Sequence, residues 1–297
     1  MTAKILDGNA LAQKLKEQVT KEVEAINHNG GDVGLAVILI GDDPASRIYV
    51  NHKKKDCVEC GITSHEYQLS SDTSAEQVFE LISNLNANDA INGILIQQPF
   101  PAHIDVKAVN EAVSPLKDVD AFRTDTVGKI AIGNYGGNPS SELSTLNSTF
   151  LPCTPAGVME LIHSSGVSIS GSECVVVGRS NIVGKPMALM LLNENATVTV
   201  CHSRTRDLGE VTRRADILVS AVGRANLITA DMVKNGAVVI DVGMNRGADG
   251  KLCGDIDYAK VSQKASFITP VPGGVGPMTR AILMQNTLTA HKLQNGA

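Results

Sequence analysis

Side chains that could carry acid–base chemistry fall on one face of a helix that the sequence predicts over residues 45–60. The spacing i, i+4, i+8 and i+11 places on that face Tyr49, Lys53, Cys57 and Cys60. A lysine turned toward the interior has a lowered pKa, because burial disfavours the charged amine, and it can act as a base near neutral pH. The alternative for Lys53 is a surface side chain that packs only its aliphatic stem.

Three loop segments could complete a site around that lysine. Gln97-Gln98-Pro99 follows a predicted buried strand, at the end where a parallel sheet faces its ligand crevice. Residues 117–120 offer the carboxylates of Asp118 and Asp120, and residues 269–279 hold three glycines and three prolines, which let backbone approach a ligand closely. Each segment also has a purely structural interpretation. Gln97-Gln98-Pro99 would be a proline turn that ends a strand, Asp118 and Asp120 would form or cap a turn, and residues 269–279 would be a turn between domains.

The pair Cys57-x-x-Cys60 raises the question of zinc or redox chemistry. A zinc site of this kind needs a second ligand pair, and the remaining cysteines, at positions 153, 174, 201 and 253, do not form one. We therefore expect no metal site. Scattered cysteines are typical of a reducing compartment, and the first residues lack the apolar core of a signal peptide, so we expect a cytoplasmic protein.

Residues 174–186 predict the opening of a dinucleotide-binding βαβ unit. A β-branched run ends at Gly178, a turn containing Gly184 follows, and an apolar stretch over residues 187–192 predicts a helix. The backbone N–H groups of such a turn and the helix N-terminus bind phosphate. The glycines are six residues apart rather than spaced as G-x-G-x-x-G, so the turn alone also fits an α/β core that binds no nucleotide.

Three further β-rich runs, over residues 196–201, 216–221 and 237–242, follow at helix-length intervals. This alternation predicts a Rossmann-type, doubly wound parallel sheet with ligands at the carboxyl ends of its strands. The second strand leads into Ser203 and Arg204 without the acidic residue that holds an NAD ribose, and Arg179 lies in the glycine turn. Hydroxyl and guanidinium groups suit a 2′-phosphate, so the sequence favours NADP.

The N-terminal part is predicted to form an α/β unit of its own. Strands are expected over residues 35–40, 64–69 and 93–97, and helices over 9–27, 45–60 and 74–86. We expect an α/β protein of two domains with a cleft between them, residues 1–122 and 123–297. A C-terminal helix at about 279–297 is expected to pack back on the first domain. The polar residues 133–149 are predicted to be a mobile surface loop.

Composition excludes several classes of function. The chain has 297 residues, of which 43% are hydrophobic, enough for two cores. A net charge of −5, the lack of tryptophan and the scarcity of aromatic residues argue against a nucleic-acid binder. No apolar run approaches the length of a membrane span. The partners expected are therefore small molecules.

The motifs taken together resemble the bifunctional methylenetetrahydrofolate dehydrogenase/cyclohydrolase family. In chain order they are Tyr49-x-x-x-Lys53, Gln97-Gln98-Pro99, Lys117-Asp-Val-Asp120, Pro152-Cys-Thr-Pro155, Gly178-Arg-Ser-Asn-Ile-Val-Gly-Lys-Pro186 and Pro270-Val-Pro-Gly-Gly-Val-Gly-Pro277. The resemblance covers nearly the whole chain, and its last two motifs are highly specific to the family. It departs at Gln98, where many relatives have Leu, at Ala121, where Gly is usual, and in the long segment 133–149.

The resemblance implies oxidation of 5,10-methylenetetrahydrofolate by NADP and hydrolysis of the methenyl product to 10-formyltetrahydrofolate, within the one-carbon metabolism that serves purine biosynthesis. It implies that Lys53 is the catalytic lysine, that Gln97 orients it, that Tyr49 lines the folate pocket and that Asp120 pairs with the pterin. Pro272, Gly273 and Gly274 would border the folate. The cofactor-binding set would be Gly178, Arg179, Ser180, Ile182, Ser203, Arg204, Val222, Gly223 and Asp241. A homodimer is also implied.

Three alternatives stay open. A monofunctional dehydrogenase would lack the base, against which Lys53 argues. A different NADP dehydrogenase of similar layout, such as a shikimate-type enzyme, would not carry the motifs at residues 117–120 and 270–277. A non-catalytic nucleotide-binding module would show no tetrahydrofolate-dependent reaction with NADP.

Overall fold

The structure is a computed structural model and describes residues 2–135, 150–247 and 250–296. These residues form two compact units. The unit that we name N-terminal comprises residues 13–129, 150–153 and 280–296, and the C-terminal unit comprises residues 2–12, 130–135, 154–247 and 250–279. Of the predicted surface loop 133–149, residues 136–149 lie outside the described part of the chain.

The described elements alternate between strands and helices along most of the chain. The strands are β1 (Lys4–Ile5), β2 (Gly34–Ile40), β3 (Thr63–Leu69), β4 (Gly93–Gln97), β5 (Glu173–Val177), β6 (Thr197–Cys201), β7 (Ile217–Ser220), β8 (Val238–Asp241), β9 (Asn245–Arg246), β10 (Leu252–Cys253) and β11 (Phe267–Ile268). The helices are α1 (Gly8–His28), α2 (Pro44–Cys60), α3 (Ala75–Asn86), α4 (Val106–Ala112), α5 (Thr124–Ala131), α6 (Cys153–Ser164), α7 (Gly184–Asn193), α8 (Leu208–Thr212), α9 (Tyr258–Val261) and α10 (Val275–Asn295).

The N-terminal unit contains a parallel sheet in the order β3-β2-β4. All seven residues of the central strand β2 are buried, as expected for a parallel strand covered on both faces. Helix α3 begins with a capping box, in which the side chains of Ser74 and Gln77 bind each other's backbone N–H groups. The apolar residues of this helix pack with those of the sheet in one core. The strands and helices predicted for this region are confirmed.

The C-terminal unit contains a parallel sheet in the order β1-β11-β8-β7-β5-β6. Because β6 and β7 lie on opposite sides of β5, the connections reverse direction there, and the gap between the carboxyl ends of β5 and β7 is the topological switch point where ligands of doubly wound sheets bind. The predicted fold class is confirmed. The two-residue strands β1 and β11 were not predicted, because they are too short to show a periodic pattern.

The division of the chain differs from the expected one at the N-terminal end, whereas the C-terminal helix falls in the N-terminal unit, as expected. Residues 2–12 belong to the C-terminal unit although they were expected in the first domain, because β1 pairs with β11. Residues 280–296 belong to the N-terminal unit. Helix α10 begins at Val275, four residues earlier than predicted, since Pro277 falls in the first turn, where a missing N–H costs no helical hydrogen bond.

No helix within residues 2–135, 150–247 and 250–296 has both the length and the apolar character that crossing a membrane requires.

Candidate active site

Lys53 projects from the middle of α2 to the end of β4. Its Nζ donates a hydrogen bond to Oε1 of Gln97, the last residue of that strand, at 3.0 Å. Nε2 of Gln97 donates in turn to the backbone carbonyl of Gln98 at 2.7 Å. Both ends of the Gln97 amide are therefore engaged, which fixes the orientation of the oxygen that holds the amine.

The environment of Lys53 favours its neutral form. Burial lowers the pKa of the amine, the carboxylate of Asp120 acts in the opposite direction, and the positive charge of Arg280 lowers the pKa further. Lys54 and Lys55, by contrast, are exposed, and Lys54 pairs with a surface glutamate. The prediction that Lys53 is the inward-facing lysine of the three is confirmed, and the alternative of a surface side chain is wrong.

Asp120 lies in a turn beside β4. Burial raises the pKa of its carboxyl group, whereas the charge of Lys53 and the neighbouring thiol of Cys153 lower it. The next residue, Ala121, is buried and has φ 59°, in the left-handed region that favours glycine. The family resemblance leads one to expect glycine here, and this backbone conformation gives the physical reason.

Two residues that the sequence did not single out support this turn from the other side. The carbonyl of Val119 accepts a hydrogen bond from the thiol of Cys153 at 3.3 Å and from Nδ2 of Asn286 at 2.8 Å. Asn286 also donates to the carbonyl of Leu151 at 3.0 Å. Cys153 belongs to a motif quoted from the sequence, but Asn286 lies in α10 with no local pattern that could reveal its role.

Tyr49 and Asp56 lie on α2 on either side of Lys53, and Arg280 lies beside them. The Nε of Arg280 donates to Asp56 Oδ2 at 2.6 Å, and Asp56 also pairs with Lys16 at 3.1 Å. Burial raises the pKa of the Tyr49 phenol, while the charge of Arg280 lowers it. The phenol is therefore a neutral hydrogen-bonding group on the helix that carries Lys53. Arg280 was not predicted, because nothing local in the sequence links it to α2.

Cys57 and Cys60 have no features of a redox or metal site. Both side chains are fully buried, and burial raises the pKa of the Cys57 thiol to about 12 and that of Cys60 to about 11. Thiols with such pKa values remain protonated at neutral pH and are poor nucleophiles and ligands. Among the described residues, no cluster of three or more His, Cys, Asp or Glu side chains could hold a metal ion.

In the C-terminal unit, Gly178 lies between the carboxyl ends of β6 and β7. Its N–H donates to the carbonyl of Cys201 at 2.9 Å, and the N–H of Ala221 donates to the carbonyl of Val177 at 2.8 Å. Gly178 has φ 129°, and a Cβ built on it would lie 2.3 Å from the carbonyl oxygen of Ala221. Only glycine fits here, so the chain can turn sharply at the switch point into the segment that starts α7.

The turn after Gly178 is held by the hydroxyl of Ser180. Its Oγ accepts hydrogen bonds from the N–H groups of Val183 at 3.2 Å and Gly184 at 3.3 Å. A Cβ on Gly184 would lie 2.3 Å from the carbonyl oxygen of Gly178, so this close approach also requires glycine. Ile182 is half-buried beneath the turn. The exposed Ser180 hydroxyl thus lies at the N-terminus of α7, a position suited to a phosphate.

The groups predicted to bind a 2′-phosphate come from neighbouring strand ends. Arg179 directly follows Gly178, which is bonded to the last residue of β6, and Ser203 and Arg204 follow β6 itself. All three of these side chains are exposed. The loop is shaped locally, because the N–H of Arg204 donates to the ring nitrogen of His202 at 3.1 Å. Two guanidinium groups and a hydroxyl at one corner of the sheet fit the charge and geometry of a phosphate.

Asp241, which the family resemblance implies as a cofactor-binding residue, has a buried side chain. The side chain is 4% exposed, and its two carboxylate oxygens accept hydrogen bonds from the N–H groups of Gly243, Asp255 and Ile256. Burial raises the pKa of this carboxyl group to about 7, although these N–H groups act in the opposite direction. Its oxygens are engaged by the backbone, so the carboxylate of Asp241 shapes the loops at the strand ends.

A second buried carboxylate, Asp255, was missed by the sequence analysis. Its oxygens accept hydrogen bonds from the N–H groups of Val222 at 2.7 Å, Gly223 at 3.3 Å and Arg224 at 2.9 Å, and from Ser220 Oγ at 3.1 Å. The N–H groups of Val222 and Gly223 therefore point at protein rather than at solvent. These two residues can line a cofactor site with their surfaces, but their N–H groups are not its donors.

Pro272, Gly273 and Gly274 form the turn between β11 and α10. The carbonyl of Gly273 accepts a hydrogen bond from the N–H of Asn9 at 3.2 Å, which ties the turn to the start of α1 within the C-terminal unit. Gly274 is buried, and Pro272 and Gly273 are partly or fully exposed. The turn is therefore anchored at its base and accessible at its tip.

Comparisons with known proteins agree along the whole chain. The family model described as the tetrahydrofolate dehydrogenase/cyclohydrolase catalytic domain matches residues 6–120, and the model of the NAD(P)-binding domain of the same family matches residues 152–295. The bifunctional protein FolD of Acetivibrio thermocellus is 57% identical over 294 residues, which is 99% of each chain. That of Ruminiclostridium cellulolyticum is 54% identical over 296 residues, covering 100% of each.

Solved structures give the same result. The bifunctional FolD methylenetetrahydrofolate dehydrogenase/cyclohydrolase from Campylobacter jejuni has a TM-score of 0.92 at 46% identity, covering 98% of this chain and 99% of its own. The FolD enzyme of Trypanosoma brucei, determined with NADP cofactor and an inhibitor, has a TM-score of 0.92 at 36% identity and 100% coverage of both chains.

Proposed function

The chain belongs to the tetrahydrofolate dehydrogenase/cyclohydrolase family, and from that premise we propose how its own residues divide the two reactions. The protein is a bifunctional enzyme of folate one-carbon metabolism that uses NADP. It oxidises 5,10-methylenetetrahydrofolate to the methenyl cation and hydrolyses that cation to 10-formyltetrahydrofolate. Our proposal assigns the folate chemistry to the side chains around Lys53 and the binding of NADP to the strand ends around Gly178.

Lys53 is the base of the hydrolysis step. Addition of water to the methenyl carbon requires that the water lose a proton, and the environment of Lys53 favours the neutral amine that can accept it. Gln97 Oε1 accepts one Nζ–H at 3.0 Å, so the position of the nitrogen is fixed while its lone pair stays free for the water. The half-buried phenol of Tyr49, on the same helix face, lines the folate site.

Asp120 binds the pterin ring. Its carboxylate can accept hydrogen bonds from the amino group and a ring N–H of the pterin together, which is the bidentate arrangement that carboxylates favour. The Asp120 carboxylate and the Lys53 amine interact electrostatically: the charge of Lys53 lowers the pKa of Asp120, and the charge of Asp120 raises the pKa of Lys53. Hydride transfer needs no proton transfer at the reacting carbon, so this step depends on alignment of the substrate rather than on Lys53.

NADP, when bound, supplies the hydride acceptor. The turn that begins at Gly178 places the Ser180 hydroxyl at the N-terminus of α7, where Ser180 and Ile182 border the phosphates of the cofactor. Arg179, Ser203 and Arg204 bind the 2′-phosphate, a role supported by their exposure and by the bond between Gly178 and the end of β6. Val222 and Gly223 line the site from β7.

The single observation that carries the assignment of roles is the 3.0 Å hydrogen bond between Lys53 and Gln97. Replacement of Lys53 by Met keeps the length of the side chain but removes the base. We expect a loss of cyclohydrolase activity of about 10²–10⁴-fold, typical for a general base, and a smaller loss of dehydrogenase activity. The exposed neighbour provides a control, because Lys54→Met should leave both activities intact. Equal losses of both activities in Lys53→Met, with folate binding intact, would contradict the role of Lys53.

Three further properties follow from the family and form part of the proposal. The enzyme is a cytoplasmic homodimer, and its product supplies one-carbon units for purine biosynthesis. Light scattering should give a mass of twice the 31.3 kDa of one chain. A monomeric mass across the concentration range of the assay would contradict the dimer without affecting the roles of the residues above.

A further inference from the structure

Asp118 closes the turn that carries Asp120. Its side chain is 4% exposed, and the two carboxylate oxygens are used separately: Oδ1 accepts a hydrogen bond from the N–H of Phe122 at 3.3 Å and Oδ2 from the N–H of Arg123 at 3.0 Å. The backbone carbonyl of Asp118 accepts the N–H of Ala121 at 3.0 Å. One residue thus binds three of the N–H groups that follow Asp120.

The two ends of the turn are fixed independently. At the start, the Nζ of buried Lys117 donates to the carbonyls of Leu85 at 3.0 Å and Asn88 at 2.8 Å, where it caps the end of α3. At the other end, the guanidinium of Arg123 donates to the carbonyl of Val113 at 2.8 Å. Between these anchors, the peptides that follow Asp120 are held by the Asp118 carboxylate.

Burying this carboxylate is costly, which argues for a specific role. Burial raises the pKa of Asp118 to about 7, and the neighbouring charge of Asp120 acts in the same direction, although the N–H groups of Phe122 and Arg123 oppose both. An uncharged turn former such as Asn or Ser would avoid that cost. Neither has two oxygens, so neither could give each N–H group an acceptor oxygen of its own, as Oδ1 and Oδ2 of Asp118 do.

We propose that Asp118 is the positioning residue for Asp120: its two oxygens fix the turn so that the Asp120 carboxylate is held ready for the pterin. The inference rests on the proposed role of Asp120 in folate binding. Asp118 does not touch the substrate itself and acts only through the geometry of residues 119–123. Its contribution to folate binding should therefore exist only when Asp120 can accept hydrogen bonds from the pterin.

The test is a double-mutant cycle in the full-length enzyme with four proteins: wild type, Asp118→Asn, Asp120→Asn and the double variant. Assays are run well above pH 7, where the Asp118 carboxylate is ionised, and KM is measured for methylenetetrahydrofolate and for NADP. Asp118→Asn places an NH₂ group against a backbone N–H, whichever way the amide is turned. Asp32→Asn is the matched control, since that exposed carboxylate also accepts one hydrogen bond, from Thr63 Oγ1 at 2.8 Å.

Asp120→Asn should raise the folate KM at least about fivefold, the equivalent of losing one buried hydrogen bond. Asp118→Asn should raise the folate KM by about fivefold, and by no more than Asp120→Asn does, in the wild-type background and by less than about twofold in the Asp120→Asn background, because coupled residues are not additive. The NADP KM should stay unchanged in all four proteins. Asp32→Asn should change neither KM.

The other possible results show which of the two proposed roles, that of Asp118 or that of Asp120, is wrong. If Asp118→Asn raises the folate KM by the same factor in both backgrounds, or leaves it unchanged, the positioning role is wrong. If Asp120→Asn leaves the folate KM unchanged, the role of Asp120 itself is wrong, whatever Asp118 does. If Asp118→Asn does not fold, Asp118→Ser, which keeps one acceptor oxygen, enters the same cycle and is judged by the same comparison.

Discussion

Asp120 in the N-terminal unit and Asp255 in the C-terminal unit are carboxylates in loops next to parallel strands, but their surroundings differ. Asp255 is fully buried and accepts hydrogen bonds from three backbone N–H groups and from Ser220. Asp120 is half-buried and interacts electrostatically with the Lys53 amine, and the thiol of Cys153 lies beside it. A carboxylate whose oxygens accept hydrogen bonds from the backbone stabilises a loop. A carboxylate that faces an amine and a thiol still has oxygen lone pairs that can accept hydrogen bonds from a ligand.

The same contrast separates the groups that act on ligands in the two units. Around Lys53 they are half-buried and electrostatically coupled, which suits proton transfer. At the strand ends of the C-terminal unit the buried acids Asp241 and Asp255 shape the backbone, and the groups for the ligand are the exposed side chains of Arg179 and Arg204. Catalysis of hydration needs a shifted pKa, but binding of a phosphate needs only permanent positive charge.

The largest effect should come from removing the loop-holding carboxylate. Asp255→Ala leaves the buried hydroxyl of Ser220 and the N–H groups of Val222, Gly223 and Arg224 without their acceptor. A buried unsatisfied donor costs about 1–3 kcal/mol, so we expect the free energy of unfolding to fall by at least about 3 kcal/mol in urea denaturation. Asp257→Ala, two residues away, removes only a surface pair with Lys260 and should cost less than about 1 kcal/mol.

If Asp255→Ala proves as stable as Asp257→Ala, the distinction between carboxylates that hold loops and carboxylates that act on ligands fails at its clearest example. If the variant is destabilised but keeps its affinity for NADP, the loop at Val222 contributes nothing to the cofactor site.

Replacement of an exposed cation at the nucleotide site should affect binding rather than stability. Arg179→Ala removes one charge-assisted hydrogen bond, worth roughly 1.5–3 kcal/mol, so the affinity for NADP should fall by about tenfold to a hundredfold. The affinity for NAD should change little, because NAD lacks the phosphate. Arg214→Ala is the control, since Arg214 pairs with Glu173 at the opposite end of β5. A wild-type enzyme that uses NAD as well as NADP, or equal losses of affinity for both in Arg179→Ala, would contradict the proposed 2′-phosphate site.

Much of this contrast could be predicted from the sequence, and the reason lies in local patterns. Helical spacing placed Tyr49 and Lys53 on one face, and the apolar run ending at Gly178 predicted the switch point. These inferences need only neighbours along the chain. The surroundings of Asp241 were not predicted, because nothing local showed that the backbone of residues 243, 255 and 256 would engage its oxygens.

Asn286 and Arg280 were not predicted, because local patterns do not show contacts between residues that are far apart in the chain. Asn286 is 167 positions from Val119, whose carbonyl it binds, and Arg280 is 224 positions from Asp56. Such pairs appear only when α10 is placed against the sheet of the N-terminal unit. Ala121 was noted as a departure from the family pattern, but the positive φ that makes glycine usual at that position is a property of the folded turn.

A smaller effect is expected for the charge next to Lys53. Arg280 lowers the pKa of Lys53, so Arg280→Gln should raise it, and the release of Asp56 acts in the same direction. A base works in its neutral form, so a higher pKa moves the rise of cyclohydrolase activity with pH to higher pH. Arg47→Gln removes an exposed charge from the first turn of α2 and should leave the profile in place. A shift of the Arg280→Gln profile to lower pH would contradict the role of the neutral amine.

The smallest effect concerns the glutamine next to Gln97. The amide of Gln97 is engaged at both ends, but Nε2 of Gln98 is buried and has no hydrogen-bond partner among the described residues. Gln98→Leu replaces that amide by an apolar group of similar size and should raise the free energy of unfolding by about 1 kcal/mol. Gln68→Leu makes the same change on the exposed face of β3 and should stay within about 0.5 kcal/mol of wild type. If Gln98→Leu is instead the less stable protein, the Gln98 amide makes a favourable interaction, and the contrast with its neighbour Gln97 disappears.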